Sequence, residues 1–378
     1  MYKKPSNSKS SFLKRKDYSS AGMNKQEYDR LYSKMSANKK NKGKRNFKKF
    51  LIIFGCVMLS LAIIFASTYA YLYYSGKSQL KTTDVSSIKI GKKQDDENVV
   101  ESGGKKYKFD KDVISVLCIG VDKDDHVQKE QGSLGKGGQS DALFLLCIDI
   151  EDAEYTVISI NRDALVDVDV YSESGKYVGI QKQQACLSFA YGDGKHTSCK
   201  NTKKAISRLF YGIPINSYFA INKICIPVIN DTVDGVQVPV YDENGNLTGE
   251  TDHLDGNEAY KYIHDRDTSR NDSNEIRLKR QTSYIKAFAS KLITRTKSDL
   301  STPVDVFKTI SIYSTTNVGA SKITYLTTEA FSHKDEIKID YKSVPGKSKT
   351  GKQGYTEFHV DTDALLELVL DVFYDEVK

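Results

Sequence analysis

The chain has 378 residues, of which 56 are Lys or Arg and 49 are Asp or Glu, and its formal net charge is +7. Residues 1–49 hold sixteen basic and three acidic residues, a charge of +13, which leaves −6 (+7 − 13) for the remainder. This balance gives no basis for nucleic-acid binding by the whole chain. We interpret the basic tail as a topology signal near anionic lipid.

The tail itself is polar and poor in branched apolar residues, so we expect residues 1–49 to be largely disordered. A short helix near Lys25–Met35 is left open.

An uncharged run of 27 residues, 50–76, follows the tail. A hydrocarbon core about 30 Å thick needs ~20 apolar helical residues, so this run is long enough to form a transmembrane helix. Because it is long for a signal peptide and lacks a convincing cleavage site, we predict an uncleaved anchor, with a cleaved signal as the alternative. Positively charged flanks stay in the cytoplasm, which predicts a single-pass protein of the cytoplasmic membrane with residues 77–378 outside.

Residues 77–110 are rich in Lys, Asp, Ser and Gly, which predicts a linker with one optional edge strand around Ile88–Ile90. Residues 111–378 then form the extracellular domain. Its five cysteines show no CxxC spacing, so neither a zinc site nor a disulfide scaffold is indicated. A disulfide between Cys186 and Cys199 is left open.

Short apolar runs that are rich in Val and Ile are typical of buried strands, and they occur at residues 113–120, 142–150 and 155–160. The polar, glycine-rich residues 124–139 between the first two predict a mobile loop. Helical periodicity follows at residues 183–191, 202–211, 221–233, 256–264 and 277–294, and a further helix begins at Val304. Strands are predicted at 236–241 and 337–344, and a closing helix at 361–374. This alternation predicts an α/β fold with a mixed central sheet flanked by helices.

Charged side chains stand at the ends of the first three strands. Asp122 follows the first strand, and Arg162 and Asp163 follow the third. Gln139 and Asp141 open the second strand at its amino end. Ligands bind beyond the carboxyl ends of strands in α/β sheets, so Asp141 meets Asp122 only if the second strand runs antiparallel to the first.

A second group of charges surrounds the start of the helix at 277–294. Arg266 precedes it, and Arg277, Arg280 and Gln281 fall at i, i+3 and i+4. Guanidiniums donate paired hydrogen bonds to phosphate, and carboxylates hold hard cations such as Mg²⁺. The combination indicates phosphoryl chemistry, where catalysis is mostly positioning and charge stabilisation. The alternative is a solvated helix start that is stabilised by salt bridges.

At these residues the chain resembles the LytR-CpsA-Psr family of bacterial cell-wall proteins, over about residues 113–291. The ordered motifs are VLCIGVD (116–122), GQSDALFLLCID (138–149), VISINRDALVDV (157–168), DTVDGVQV (231–238), LDGNEAYKYIHDRD (254–267) and NEIRLKRQ (274–281). The resemblance implies a three-layer sandwich behind one transmembrane helix. It also implies a phosphotransferase that moves an anionic glycopolymer, such as teichoic acid or capsule, from a polyprenyl-pyrophosphate carrier to peptidoglycan, with Mg²⁺ as cofactor.

Roles for individual residues follow from the resemblance. Asp122 and Asp141 are the implied Mg²⁺ carboxylates. Asp163 is implied either to activate the acceptor hydroxyl or to fix Arg162 by an ion pair. The implied pyrophosphate-binding side chains are Arg162, Arg266, Arg277, Arg280, Gln281 and Gln139.

The chain departs from the family pattern at three places. Gln139 and His264 stand where the family has arginines, and Gln184-Ala185-Cys186 replaces a Lys-Ile-Asn stretch. The pocket is therefore less positive than is usual, which keeps two alternatives open. One is a non-catalytic polyprenyl-pyrophosphate-binding regulator of the envelope, and the other is a pyrophosphatase that acts on the carrier lipid.

The polyprenyl tail of such a donor needs an apolar tunnel. Candidate walls are the helical or apolar faces within 206–210, 218–229 and 285–292, and ordinary hydrophobic core is the competing interpretation of each.

Overall fold

A computed structural model of the chain describes residues 24–81, 86–90, 99–122, 137–267, 269–270, 272–299, 301–332 and 338–377. The chain divides into two compact units between Ala70 and Tyr71, and each is described by itself. The expected disorder of residues 1–23 lies outside the described residues, as does most of the expected mobile loop, at 123–136.

The helices are α1 Lys25–Leu80, α2 Leu187–Ala190, α3 His196–Leu209, α4 Cys225–Thr232, α5 Gly256–His264, α6 Ser273–Ser298, α7 Thr302–Ile312, α8 Ala320–Ser332 and α9 Thr362–Phe373. The strands are β1 Val99–Ser102, β2 Lys105–Phe109, β3 Val113–Val121, β4 Ser140–Asp149, β5 Glu154–Ile160, β6 Leu165–Tyr171, β7 Tyr177–Gln184, β8 Ser217–Asn222, β9 Val236–Tyr241, β10 Leu247–Leu254, β11 Ser314–Thr316, β12 Lys338–Ser343, β13 Gly346–Thr350, β14 Thr356–Val360 and β15 Tyr374–Val377.

Helix α1 contains the segment Phe47–Leu80, which is long and apolar enough to cross a membrane. The predicted anchor, residues 50–76, lies within it. The helix already begins at Lys25, so the disorder expected for residues 25–49 is replaced by helix. This stretch contains no proline, and adding residues to an existing helix costs far less than nucleating a new one.

The central sheet has six strands in the order β11-β8-β3-β4-β5-β12. Strand β3 pairs in parallel with β8 and antiparallel with β4, and β5 pairs in parallel with β12. The predicted mixed sheet is therefore confirmed, including the antiparallel pairing that brings Asp141 to the end of β3. The C-terminal part of the chain completes the sheet, because β11 and β12 form its two edges.

Alternate residues of β3 face opposite sides of this sheet. Leu117 and Ile119 enter the main core, to which α3 and α9 contribute. Val116 enters a smaller core cluster on the other face. Farther along the strand, Cys118 and Gly120 of that second face line a cavity beneath α6. Period-2 alternation thus gives one strand both core-forming and cavity-lining positions.

The predicted linker, residues 77–110, is in part a folded element. Strands β1 and β2 form a three-stranded sheet with β15, and Val100 and Phe109 enter the main core. Ile88 and Ile90 are buried there without forming the optional edge strand. The sequence hid these strands because they are short and rich in lysine, and only their inward residues are apolar.

Helix was also predicted for residues 183–191, but strand β7 continues to Gln184 and only the four-residue α2 follows. The pairing of β7 with β6 in a hairpin overrides the local periodicity. All six cysteines are among the described residues and each is free, so the optional Cys186–Cys199 disulfide does not form.

The closing helix contributes Phe373 to the main core, where 1% of the residue is exposed. We expect Phe373→Ala to lower the free energy of unfolding by about 3–5 kcal/mol, because the substitution leaves a cavity. Phe307→Ala is the matched control, since Phe307 is 42% exposed, and it should change stability by less than about 1 kcal/mol. Denaturant unfolding of the full chain in detergent measures both, and equal losses would contradict this view of the core.

Candidate active site

Strand β4 carries a bulge at Asp141. Gly120 pairs with Ala142 and Val121 pairs with Ser140, so Asp141 is the extra residue between two pairs. A bulge re-aims a side chain, and here the carboxylate of Asp141 lines the cavity beneath α6. A Cβ at position 120 would lie 2.9 Å from that of Ala142, so a glycine is needed for this close approach.

The carboxylate of Asp141 binds two arginines from distant parts of the chain. Arg162, directly after β5, donates to Oδ1, and Arg277, from α6, donates to Oδ2 at 3.3 Å. Arg162 also donates to Gln139 Oε1 at 2.6 Å and contacts Cys186 Sγ at 3.3 Å. Four of the predicted site residues therefore meet in one cluster.

Arg277 is held in this cluster although only 4% of its side chain is exposed. Burial lowers the pKa of its guanidinium, and the charge of Asp141 partly offsets this effect. A guanidinium remains charged despite such a shift. Arg277 therefore depends on Asp141, whereas Arg162 also lies 3.6 Å from a carboxylate oxygen of Asp163.

Asp163 lies beside the cluster but is almost fully buried. Asn274 donates to its Oδ2, Gln184 donates to its Oδ1 at 3.2 Å, and Arg162 Nε lies 3.6 Å from Oδ1. Burial raises the pKa of Asp163, against the lowering effect of Arg162 and Asn274. This environment suits a residue that orients Arg162 better than a base that meets an incoming hydroxyl.

Lys223 faces Asp122 and was missed in the sequence analysis. Its Nζ lies 2.6 Å from Asp122 Oδ1, and its side chain is 18% exposed. Burial alone would raise the pKa of Asp122, but the hydrogen bond and charge of Lys223 lower it below its usual value. Its position in the sequence could have predicted this contact. Lys223 follows β8 directly, just as Asp122 follows β3, and the two strands are adjacent and parallel.

The cavity beneath α6, called here the apolar cavity, has a volume of about 370 Å³. Its polar end is formed by Asp122, Asp141, Lys223, His264, Arg277 and Gln281. Its apolar walls include Phe219, Ile221 and Ile226 on one side and Ile285, Phe288 and Leu292 on the other. The candidate walls within 218–229 and 285–292 thus line it, whereas Ile206 and Phe210 belong to the main core.

Arg280 does not join the Asp141 cluster. It donates to the backbone carbonyl of Asp265 and lies over the ring of Tyr262, 5.9 Å from the centroid. Together with Arg266 it lines a second, polar cavity of about 520 Å³. Arg277 and Gln281 line the apolar cavity, whereas Arg280 turns to the polar cavity because consecutive residues of a helix point about 100° apart.

Arg266 is exposed and lies between the two regions. It donates to Asn274 Oδ1 at 2.5 Å, and Asn274 in turn donates to Asp163. Gln281, by contrast, lines the apolar cavity and donates to the carbonyl of Ile263 at 3.2 Å.

The fit of a divalent cation can be judged from the donor set. Asp122 and Asp141 line the same cavity, but the described residues contain no group of three His, Cys, Asp or Glu that could hold a metal. Mg²⁺ usually takes one or two carboxylates and completes its shell with phosphate oxygens and water. Two carboxylates that line one cavity suit a Mg²⁺ ion that arrives with a phosphate ligand. Such an ion would have to replace some of their contacts, because both oxygens of Asp141 accept from arginines and Oδ1 of Asp122 accepts from Lys223.

A model of the LytR_cpsA_psr family matches residues 71–371. The chain therefore belongs to this family. No curated protein matches the chain.

Solved structures show the same fold. Protein gbs0355 from Streptococcus agalactiae matches with a TM-score of 0.54 at 20% identity, over 69% of this chain and 86% of that one. TagV of B. subtilis matches with a TM-score of 0.51 at 20% identity, over 69% and 96%. At this level of identity the likeness establishes the α/β architecture and nothing finer.

Replacing Asp141 tests whether one carboxylate holds the cluster. We expect Asp141→Asn to lower the free energy of unfolding by about 3 kcal/mol, because it removes the carboxylate partner of the buried Arg277 and leaves Arg162 to Asp163. Asp167→Asn is the control, since Asp167 is 51% exposed in its pair with Lys182. Urea unfolding compares the variants, and a loss no larger than that of the control would show that the arginines do not depend on Asp141.

Proposed function

We propose that this protein transfers an anionic glycopolymer from a polyprenyl-pyrophosphate carrier to peptidoglycan and so forms a phosphodiester link. The observation that carries this proposal is the Asp141 cluster at the polar end of the apolar cavity. An apolar wall suits a prenyl chain, and guanidiniums suit phosphate oxygens. Family membership supports the same reaction, because the resemblance implies glycopolymer transfer.

The reaction exchanges one phosphorus–oxygen bond for another. The acceptor hydroxyl loses its proton and bonds to the glycan-side phosphorus, while the bond from that phosphorus to the bridging oxygen breaks. Polyprenyl phosphate leaves with the bonding electrons. Arg162 and Arg277 are suited to stabilise the charge that grows on the leaving phosphate, since such positioned donors act without reorganisation.

Asp122 and Asp141 are proposed as the Mg²⁺ carboxylates, and the ion would neutralise diphosphate charge when bound. Gln139 and Gln281 are proposed to donate hydrogen bonds to phosphate oxygens. Asp163 is proposed as the residue that orients Arg162, because it is buried between Asn274, Gln184 and Arg162.

The membrane arrangement is proposed from the charge pattern. Sixteen basic residues precede the apolar segment of α1, which favours an N-terminus in the cytoplasm and a catalytic domain outside. We propose residues 111–378, extended by β1 and β2, as that domain.

Arg277→Gln tests the proposal that Arg277 stabilises the charge on the leaving phosphate. We expect a loss of transfer of about 10²–10³-fold, because one positioned charge-assisted donor is removed. Arg295→Gln on the same helix is the control, since Arg295 pairs with the exposed Asp234 far along α6. Transfer is measured as glycan attached to peptidoglycan fragments by the full chain in detergent. If Arg277→Gln transfers glycan as fast as the wild type, Arg277 does not stabilise the leaving phosphate. Arg280→Gln should fall near the control.

Ala289→Trp tests the lipid assignment of the apolar cavity. The indole should fill the space beneath α6 and weaken binding of a long-chain prenyl diphosphate at least tenfold, while a diphosphate without a prenyl chain binds as before. Ser290→Trp is the control, because Ser290 is exposed on the same helix. Equal lipid affinity of both variants and the wild type would place the lipid elsewhere.

The same assay separates the alternatives that Gln139 and His264 leave open. A regulator would bind prenyl diphosphate without turnover, even with Mg²⁺ and a peptidoglycan acceptor. A pyrophosphatase would release phosphate with water as acceptor and attach no glycan. Either result would replace the transferase proposal. Mass spectrometry of lipid that copurifies with the protein identifies the bound class.

A further inference from the structure

The pair of Asp122 and Lys223 has a defined place in the fold. Val121 of β3 pairs with Asn222 of β8, so the two side chains leave adjacent parallel strands one residue beyond a paired level. The backbone N–H of Lys223 donates to the carbonyl of Val121 at 3.3 Å, which fixes the base of the side chain. The ammonium therefore lies against Asp122 because of the sheet register.

The charges at the polar end of the cavity do not balance without Lys223. Asp122, Asp141 and Asp163 bring three negative charges, and Arg162 and Arg277 bring two positive ones. Lys223 makes the cations three, which brings the formal charge of these groups to zero. Gln139 adds hydrogen-bonding capacity there but no charge.

Lys223 also occupies an oxygen that a divalent cation would need. Its Nζ hydrogen-bonds Oδ1 of Asp122, and a divalent ion placed at that oxygen would repel the ammonium at short range. A metal that takes Oδ1 of Asp122 must therefore displace Lys223. The displaced ammonium would keep its base on β8 and remain beside the headgroup.

We propose that Lys223 is a resident cation of the headgroup site: it balances Asp122 in the absence of a divalent ion and donates directly to the diphosphate, so diphosphate binding does not require Mg²⁺. This inference rests on the proposed function, because it assigns a residue to the same diphosphate site. It also makes Lys223 and Mg²⁺ competitors for Asp122.

The first claim, that diphosphate binding does not require Mg²⁺, is tested by calorimetry. The full chain in detergent is titrated with farnesyl diphosphate in EDTA and in Mg²⁺. The wild type should bind in both buffers with affinities within about tenfold of each other. Lys223→Gln should lose about tenfold or more in EDTA, because a charged hydrogen bond is removed, and Mg²⁺ should restore most of the loss. Lys223→Arg should keep most of the affinity in EDTA.

The second claim, that Lys223 and the divalent ion compete for Asp122, is tested by Mn²⁺ binding to the lipid-free protein, measured by electron paramagnetic resonance. Lys223→Gln should bind Mn²⁺ about tenfold more tightly than the wild type, since Asp122 no longer holds an ammonium. Lys261→Gln is the control in both experiments, because Lys261 is exposed on α5, and it should behave as the wild type does.

The outcomes separate this inference from the function on which it rests. If the wild type binds farnesyl diphosphate only with Mg²⁺, the proposed function stands and the role of Lys223 is overturned. Lys223→Gln that matches the wild type in EDTA, or that leaves Mn²⁺ affinity unchanged, also overturns it. If the wild type binds no prenyl diphosphate in either buffer, both proposals fall.

Discussion

One carboxylate organises the candidate site. Asp141 accepts from Arg162, two residues beyond β5, and from Arg277 of α6. The buried Arg277 is not easily accommodated without this carboxylate. Three larger features serve this contact: the antiparallel β3–β4 pair, the bulge in β4, and the packing of α6 over the sheet. The position of the two guanidiniums thus depends on the register of the sheet.

The same sheet face explains why a charged cluster and an apolar cavity adjoin. The cavity floor is formed by Cys118 and Gly120 of β3 and by Phe219 and Ile221 of β8. The next residue on the same face is charged in both cases, Asp122 after β3 and Lys223 after β8. The proposed prenyl diphosphate would need this order of surfaces, apolar for its chain and then cationic for its headgroup, over a short distance. Two neighbouring strands supply it without any long loop among the described residues.

The sequence predicted the strongly periodic elements well. Strand β9 and helix α5 have the predicted bounds, because each is a single uninterrupted pattern. Features that depend on a partner were not predictable in this way. The bulge at Asp141 exists only relative to β3, and the role of Lys223 appears only when β8 lies beside β3. The sequence spacing could not predict that Arg280 points away from the Asp141 cluster, because this depends on how α6 is placed over the sheet.

The small sheet of β1, β2 and β15 joins two ends of the fold that are more than 260 residues apart in sequence, from Val99 to Tyr374. Strand β2 cannot pair with its second neighbour, β15, until the residues up to 377 have been synthesised, and central strand β5 likewise pairs with β12 only late in synthesis. Pairings of such long range are slow to form and expose strand edges meanwhile. Folding of this protein therefore includes an interval in which an incomplete sheet exposes unpaired strand edges, and in that interval the chain is prone to aggregate.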